Sequence, residues 1–251
     1  MTTQESSYEP AVTREPSYEP AATREPSYEP AATREPSYEP AATREFPHKP
    51  VARPGRYERR AKRALDVVLS LTGIVVLLPV LIASAVAVRL SGPGPVLLRQ
   101  RRVGARGSVF LMAKFRTMVA DAEADGRPVW SRQDDDRVTP VGRILRSSHL
   151  DELPQLWNVL VGEMSLVGPR PERPEISETL VSQIPHWHLR HGVRPGITGW
   201  AQVRQGYTSN VEEFRAKLSY DLYYLRHCSL RLDLVILAET LSSSWRPRRS
   251  G

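Results

Sequence analysis

The sequence predicts a mostly helical, membrane-associated α+β domain. It has a small β-hairpin, an N-terminal re-entrant membrane helix broken at a proline, and amphipathic interfacial helices. Three observations predict it. Val67 to Val88 is a run of 22 residues without a charge. Two short strand-like segments follow, joined by a glycine-containing loop. Beyond them, apolar residues recur mainly at helical spacing.

The first fifty residues stand apart from this domain. EPAVTREPSY at 9–18 is followed by EPAATREPSY at 19–28 and 29–38, and a truncated copy starts at Glu39. Two prolines and two glutamates per decapeptide, with little apolar bulk, leave too little to bury against the entropy of ordering. Proline at this density also blocks helix, so extended coil is expected. The segment reads as a disordered spacer over 1–55, or as a docking array displayed through Tyr18, Tyr28 and Tyr38. It contains no apolar core of a secretory signal.

Charge divides the chain at the same place. Residues 1–50 carry five Lys/Arg and nine Asp/Glu, and the remaining residues carry 30 and 19. An acidic tail therefore precedes a body of net charge +11, which calls for anionic partners. A single cysteine, Cys228, excludes an internal disulfide and suits a reducing compartment.

A basic flank of Arg56, Arg59, Arg60, Lys62 and Arg63 opens the segment 56–92. The apolar run within it, as one helix, would be roughly 33 Å long, enough to cross a bilayer core. Pro79 near its middle breaks the ladder. Arg89, Arg99, Arg101, Arg102 and Arg106 then make the far flank basic as well. Positive charge marks the cytoplasmic side, so two basic flanks favour a broken helix that enters one leaflet and returns. A straight span and a buried helix of a soluble protein are the alternatives.

Val96–Gln100 and Val109–Phe115 read as the two strands. Residues 121–137 are polar and read as loop. Val141–Arg146, Glu152–Leu160, Glu175–His188 and Val211–Arg226 have helical period. In the last of these, Phe214, Leu218, Leu222 and Leu225 mark the buried stripe. Leu230–Trp245 is a final amphipathic helix, and Arg246 to Arg249 can snorkel to headgroups.

The residues able to do chemistry concentrate between Lys114 and Trp200. Asp151 and Glu152 are adjacent at a predicted helix start, about 100° apart around its axis. One can attack phosphorus while the other holds a divalent cation; alternatively they serve as a helix cap and first-turn charge. Arg170 lies between Pro169 and Pro171, where a rigid backbone presents a guanidinium that can grip phosphate bidentately. Arg194, Gly196, Gly199 and Trp200 offer close backbone approach to a ligand, or a structural turn. Lys114, Arg143 and Arg146 add cations. His186, His188 and His191 lack the spacing of a zinc pair. Asp134–Asp136 reads as solvated loop, with outer-sphere help to a cation as the alternative. Neither phosphate-cradling glycine motif is present, which argues against a P-loop ATPase and a dinucleotide oxidoreductase.

These stretches resemble the bacterial sugar transferases, small monotopic polyprenyl-phosphate phosphoglycosyl transferases. The resemblance rests on KRALDVVLS at 62–70, KFRTM at 114–118, TPVGRILRSSHLDELPQLWNVLVGEMSLVGPRPE at 139–172, RHGVRPGITGWAQV at 190–203, and YDLYYLR and LDL within 220–234. It covers roughly residues 58–245. It implies a sugar-phosphate transferase domain over 93–245, followed by a basic end over 246–251. Such proteins transfer a sugar 1-phosphate from a UDP-sugar to polyprenyl, usually undecaprenyl, phosphate and release UMP, a first step towards exopolysaccharide or another surface glycan.

The resemblance implies Asp151 as nucleophile, forming an aspartyl-phosphosugar intermediate, with Glu152 as its partner on the Mg²⁺ side. Lys114, Arg146 and Arg170 match the phosphate-contacting positions, and Arg194 is a further candidate. The expected site is the cytoplasmic face of a bacterial plasma membrane, among membrane lipid and without nucleic acid; a homodimer is compatible with the class. One departure stands out: well-known members carry serine before the breaking proline, and here it is Leu78. Two other functions fit the bare residues, a metal-dependent glycosyltransferase releasing UDP and a non-enzymatic membrane adaptor.

Overall fold

The computed structural model describes residues 60–119, 122, 135–205 and 210–244, all within the compact unit Pro40–Gly251. The decapeptide tail with Tyr18, Tyr28 and Tyr38, the cations Arg56 and Arg59, Asp134, and the basic end from Trp245 onward lie outside the described residues.

The apolar run forms two helices, α1 (Lys62–Val76) and α2 (Leu78–Leu90), bent by 63°. The break falls at Leu77, two residues before Pro79, which sits in the first turn of α2. A proline has no N–H for the preceding turn and restricts the residue before it, so the helix ends ahead of the ring. At about 22 and 20 Å, neither helix is long and apolar enough to cross a membrane alone.

Helix α1 is inside-out. Its buried residues are polar, Lys62, Asp66 and Ser70, one per turn along one stripe. Its large aliphatic side chains point away from the protein, with Val75 and Val76 more than 60% exposed, and Leu78, Val80, Ile82 and Val86 continue this surface on α2. The polar stripe is bonded into the protein, except that one Asp66 carboxylate oxygen, Oδ2, is buried without a partner. Lys62 donates to Asp233 at 2.7 Å, and Asp66 accepts from Ser165 Oγ and the Leu166 N–H. Arg63 caps the Val159 and Leu160 carbonyls at 2.6 and 2.7 Å. Lys62 and Arg63, two of the cations in the basic flank, are therefore bonded into the protein itself. Arg102 is turned inward too, whereas Arg89, Arg99, Arg101 and Arg106 remain exposed.

The strands β1 (Leu97–Val103) and β2 (Val109–Phe115) make the expected antiparallel hairpin, with β1 extending three residues further than its sequence pattern. Arg116 just beyond β2 binds the carbonyls of Val88, Gly92 and Pro93 and so closes the C-terminal end of α2. Helix α3 (Pro140–Ser147) is capped by the Thr139 hydroxyl, with Pro140 in its first turn. A second, parallel pair joins β3 (Ser165–Val167) to β4 (Gly196–Thr198).

Helices α5 (Pro174–Gln183), α6 (Trp200–Arg204), α7 (Val211–His227) and α8 (Leu230–Ser244) complete the described elements. Helix α5 ends five residues before the sequence pattern does, and a 3-10 stretch over Trp187–Gly192 follows. The largest core gathers Trp187, Phe214, Leu218, Leu222, Tyr224, Leu225 and Ile236, which places the predicted stripe of α7 at its centre. Phe110, Met112, Val159 and Met164 fill a second core beneath the hairpin.

Candidate active site

The acidic pair does not start a helix. After α3 the chain turns through His149 in the left-handed region, at φ 59°. A short 3-10 turn then spans Leu150–Glu152, and α4 begins only at Gln155 and ends at Val161. Pro154 interrupts the ladder because it has no N–H to give the Leu150 carbonyl, although Leu153 before it keeps helical angles, at φ −54° and ψ −36°. Asp151 is accordingly not a helix cap. Both carboxylates sit on a compact turn between two helices.

Buried Asn158 locks that turn to the hairpin. Its side chain accepts from the Ala113 N–H at 3.0 Å and donates to the Leu111 carbonyl at 2.9 Å. This sets α4 against β2, which carries Lys114. On the other side, α3 packs with Gly142 directly on the Thr117 backbone, where a Cβ would stand 2.0 Å from the carbonyl oxygen. Arg146 then reaches Thr117 Oγ1 at 2.9 Å.

Glu152 is saturated with cations. Lys114 Nζ donates to its Oε1 at 2.9 Å, and Arg170 donates to both oxygens at 2.6 and 3.2 Å. Burial opposes the ionisation of Glu152, but these two cations outweigh it and hold the carboxyl well below the usual range. Arg170 gains correspondingly from Glu152 and is raised. Burial pushes the Lys114 ammonium down.

Asp151 is in a different state. Its carboxylate has no hydrogen-bond partner among the described residues. Burial, aided by the charge of Glu152, raises its pKa, while the cations Lys114, Arg146 and Arg170 pull the other way. A carboxylate without hydrogen bonds in a partly desolvated, cationic setting keeps its lone pairs available for attack.

The structure thus brings together five of the six candidates: Lys114, Arg146, Asp151, Glu152 and Arg170. The sixth, Arg194, is half-buried in the connection leading into β4, and among the described residues its guanidinium bonds neither carboxylate. The glycines around it serve the backbone rather than a ligand. A Cβ on Gly196 would lie 2.1 Å from the Gly168 nitrogen, and one on Gly199 2.2 Å from the Gly168 oxygen. Trp200 stacks on Tyr223 at 5.9 Å and under Arg204 at 4.1 Å.

Sequence reasoning missed a buried charge cluster beneath the Arg170 turn. Lys217 binds Glu172 at 2.6 Å, Arg190 binds Asp221 at 2.7 Å, and Arg102 reaches the Pro171 carbonyl at 3.0 Å. Burial disfavours the Glu172 anion, yet Lys217 and Arg190 hold its pKa at about 2. Burial and the neighbouring Arg190 push His191 down to about 4, so its imidazole is neutral at physiological pH. Asp135 is bound to Arg137. Among the described residues no three His, Cys, Asp or Glu side chains converge as a metal-ligand set.

A mostly helical α+β domain here sets a carboxylate without hydrogen bonds among three cations, an arrangement suited to anionic groups. Comparison with known proteins makes the class specific: residues 57–246 match the bacterial sugar transferase family, and the chain belongs to that family. It is 42% identical over 180 residues to a UDP-N-acetylgalactosamine-undecaprenyl-phosphate N-acetylgalactosaminephosphotransferase of Aeromonas hydrophila, covering 72% of this chain and 42% of that protein. It is 45% identical to a UDP-glucose:undecaprenyl-phosphate glucose-1-phosphate transferase of Caulobacter vibrioides, covering 72% and 68%. An exopolysaccharide production protein of Rhizobium leguminosarum matches at 40%, over 72% of this chain and 94% of its own length. The chain thus spans about two fifths of the Aeromonas relative. The sugars in these names differ between relatives.

Proposed function

We propose that this protein transfers a sugar 1-phosphate from a UDP-sugar to undecaprenyl or a similar polyprenyl phosphate at the cytoplasmic face of a bacterial plasma membrane. The reaction would open the assembly of an exopolysaccharide or another surface glycan. The observation that carries the reading is the contrast between Asp151, free of hydrogen bonds among the described residues, and Glu152, held by Lys114 and Arg170.

In the first step an Asp151 carboxylate oxygen attacks the phosphorus that bears the sugar. The bond from that phosphorus to the oxygen bridging the two phosphates breaks, and UMP leaves with the bridging oxygen. In the second step an oxygen of the polyprenyl phosphate attacks the same phosphorus. The Asp151–phosphorus bond breaks, the carboxylate is regenerated, and a polyprenyl diphosphate sugar departs. Lys114, Arg146 and Arg170 neutralise the phosphoryl oxygens as charge moves. Two carboxylates suit Mg²⁺, which usually takes one or two from protein and the rest of its shell from phosphate and water. Asp151 has oxygens free to hold it, whereas Glu152 would join only where substrate phosphate draws Lys114 or Arg170 off its carboxylate; when bound, the ion would supply charge neutralisation on the transferred group.

The inside-out α1 and the 63° bend support the membrane part of the reading. Exposing this many aliphatic side chains to water forfeits about 1.5–3 kcal/mol for each one that could be fully buried, and lipid removes that cost. A bent pair of short helices suits entry into one leaflet and return.

The decisive assay incubates purified protein with polyprenyl phosphate and a panel of UDP-sugars, and measures nucleotide release. UMP is the expected product, and Asp151→Asn abolishes its release. Normal turnover by Asp151→Asn overturns the assigned nucleophile, and UDP as product overturns the reaction.

A further inference from the structure

We propose that Arg190 is a positioning residue that sets the direction of the Arg170 side chain; the inference rests on the transferase reading above. The direction of any side chain is fixed by the two peptide planes that meet at its Cα. At Arg170 these planes are unusual, because Pro169 and Pro171 flank it. The peptide between Arg170 and Pro171 has no N–H, so its only polar handle is the Arg170 carbonyl.

Both planes are held through carbonyl oxygens. The Pro169 carbonyl accepts from the Gly196 N–H at 3.0 Å, which ties the upstream plane to β4. The Arg170 carbonyl accepts from Arg190 Nη2 at 2.9 Å, which ties the downstream plane to a side chain. Flanking prolines narrow the backbone of Arg170 to a broad extended region. The Arg190 bond selects one orientation within it.

Arg190 is itself immobilised. Its Nε donates to Asp221 Oδ2 at 2.8 Å, and its guanidinium lies 4.5 Å from the centre of the Trp187 ring. Trp187 is fully buried and meets Phe214 edge-on at 5.8 Å. The chain of contact therefore runs from the largest core, through Trp187 and Asp221, to Arg190, the Arg170 carbonyl, and finally the Arg170–Glu152 pair.

The cost of the arrangement supports a positional role. Arg190 and Asp221 side chains are each 1% exposed. A buried ion pair loses solvation and is often no more stabilising than apolar residues of similar volume. What an apolar pair cannot do is donate to the Arg170 carbonyl, so the bond to that carbonyl is the distinctive contribution of the arginine.

A double-mutant cycle tests this. Wild type, Arg190→Lys, Arg170→Ala and the double variant are compared by kcat/KM for UMP release. Arg190→Lys keeps the charge facing Asp221 while removing the planar fork. It is expected to lower kcat/KM about tenfold in the wild-type background, about 1.4 kcal/mol, and less than twofold when Arg170 is already alanine. Equal losses in both backgrounds overturn the proposal, because an arginine that merely supports the fold acts whether or not Arg170 is present.

If Arg190→Lys melts well below the wild type, the paired variant Arg190→Met with Asp221→Leu replaces it in the cycle, and the same two outcomes decide. The four proteins are also titrated with inorganic pyrophosphate, where the same non-additivity is expected in the dissociation constant. That arm decides the positioning role even if wild type releases no UMP from any UDP-sugar, a result that overturns the transferase reading by itself.

Discussion

Replacing Glu152 with glutamine keeps the shape of the side chain and removes its charge. Contacts of 2.6, 2.9 and 3.2 Å from two cations then meet a neutral amide. Lys114, Arg146 and Arg170 against Asp151 and Glu152 give a formal +1, and the substitution makes it +2. Breaking a fully buried ion pair costs about 3–5 kcal/mol. Here the Glu152 and Lys114 side chains are 15% exposed and Arg170 33%, so solvent absorbs part of the loss. The expected destabilisation is about 2 kcal/mol, a fall of roughly 4–8 °C in melting midpoint for a domain of this size.

Substrate binding moves the other way. One extra positive charge about 4 Å from a diphosphate gives about 1 kcal/mol where solvent sets the dielectric, so KM for the UDP-sugar falls roughly fivefold. Turnover drops about a hundredfold, because Arg170 loses the partner that orients it. A joint fall in kcat and KM marks ground-state binding gained at the expense of the transition state. Steady-state UMP release, calorimetric titration with the UDP-sugar and thermal melting in the same micelles measure the three quantities. A KM that rises while kcat stays constant refutes the reasoning, since Glu152 would then bind substrate instead of holding Arg170.

In the proposed reaction Asp151 attacks only when ionised, and burial raises its carboxyl above the ordinary value of 3.8. The acid limb of the kcat/KM profile is therefore expected above that pH, with activity lost as pH falls through it. Lys114→Met removes a cation that favours the ionised form and moves the limb to higher pH; an unmoved limb assigns it to another group. In Gly168→Ala the new Cβ lies 2.4 Å from the Arg194 carbonyl oxygen. Backbone on both sides leaves no cheap relaxation, so about 2–3 kcal/mol of stability is lost together with UMP release. Wild-type melting by that variant shows that β3 and β4 can separate without cost.

The parts legible in the sequence are those whose signal is local. The hairpin announced itself through two apolar segments around a glycine-bearing loop, and α7 through Phe214, Leu218, Leu222 and Leu225, all buried in one core. The chain-order cluster of Lys114, Arg146, Asp151, Glu152 and Arg170 also survives in space. What stayed hidden depends on distant partners. The parallel β3–β4 pair has three residues in each strand, too few for alternation to show, and only its crowded glycines hinted at it. Glu172, Arg190, Lys217 and Asp221 carry no local signal, because pairing across 31 and 45 positions leaves no pattern. The acidic pair was assigned to the start of α4, and the left-handed His149 with Pro154 moved it into a separate turn.

That displacement explains how neighbouring carboxylates acquire unequal surroundings. At the start of a continuous helix, both would share the favourable field of the same N-terminus and differ little. On a 3-10 turn between α3 and α4, each instead answers to the elements it faces. Glu152 meets Lys114 from the hairpin and Arg170 from the turn after β3, and its lone pairs are taken up by three charged contacts. Asp151 feels the same cations without a hydrogen bond from any of them among the described residues, so it is not tied down. The hairpin, α4 and β3 are each tied to a polar side chain of α1 or to a buried amide: Asp66 to the Leu166 N–H, Arg63 to the end of α4, Asn158 to β2. A helix with an aliphatic outer surface and a polar inner stripe is thus built into the frame that separates the two carboxylates.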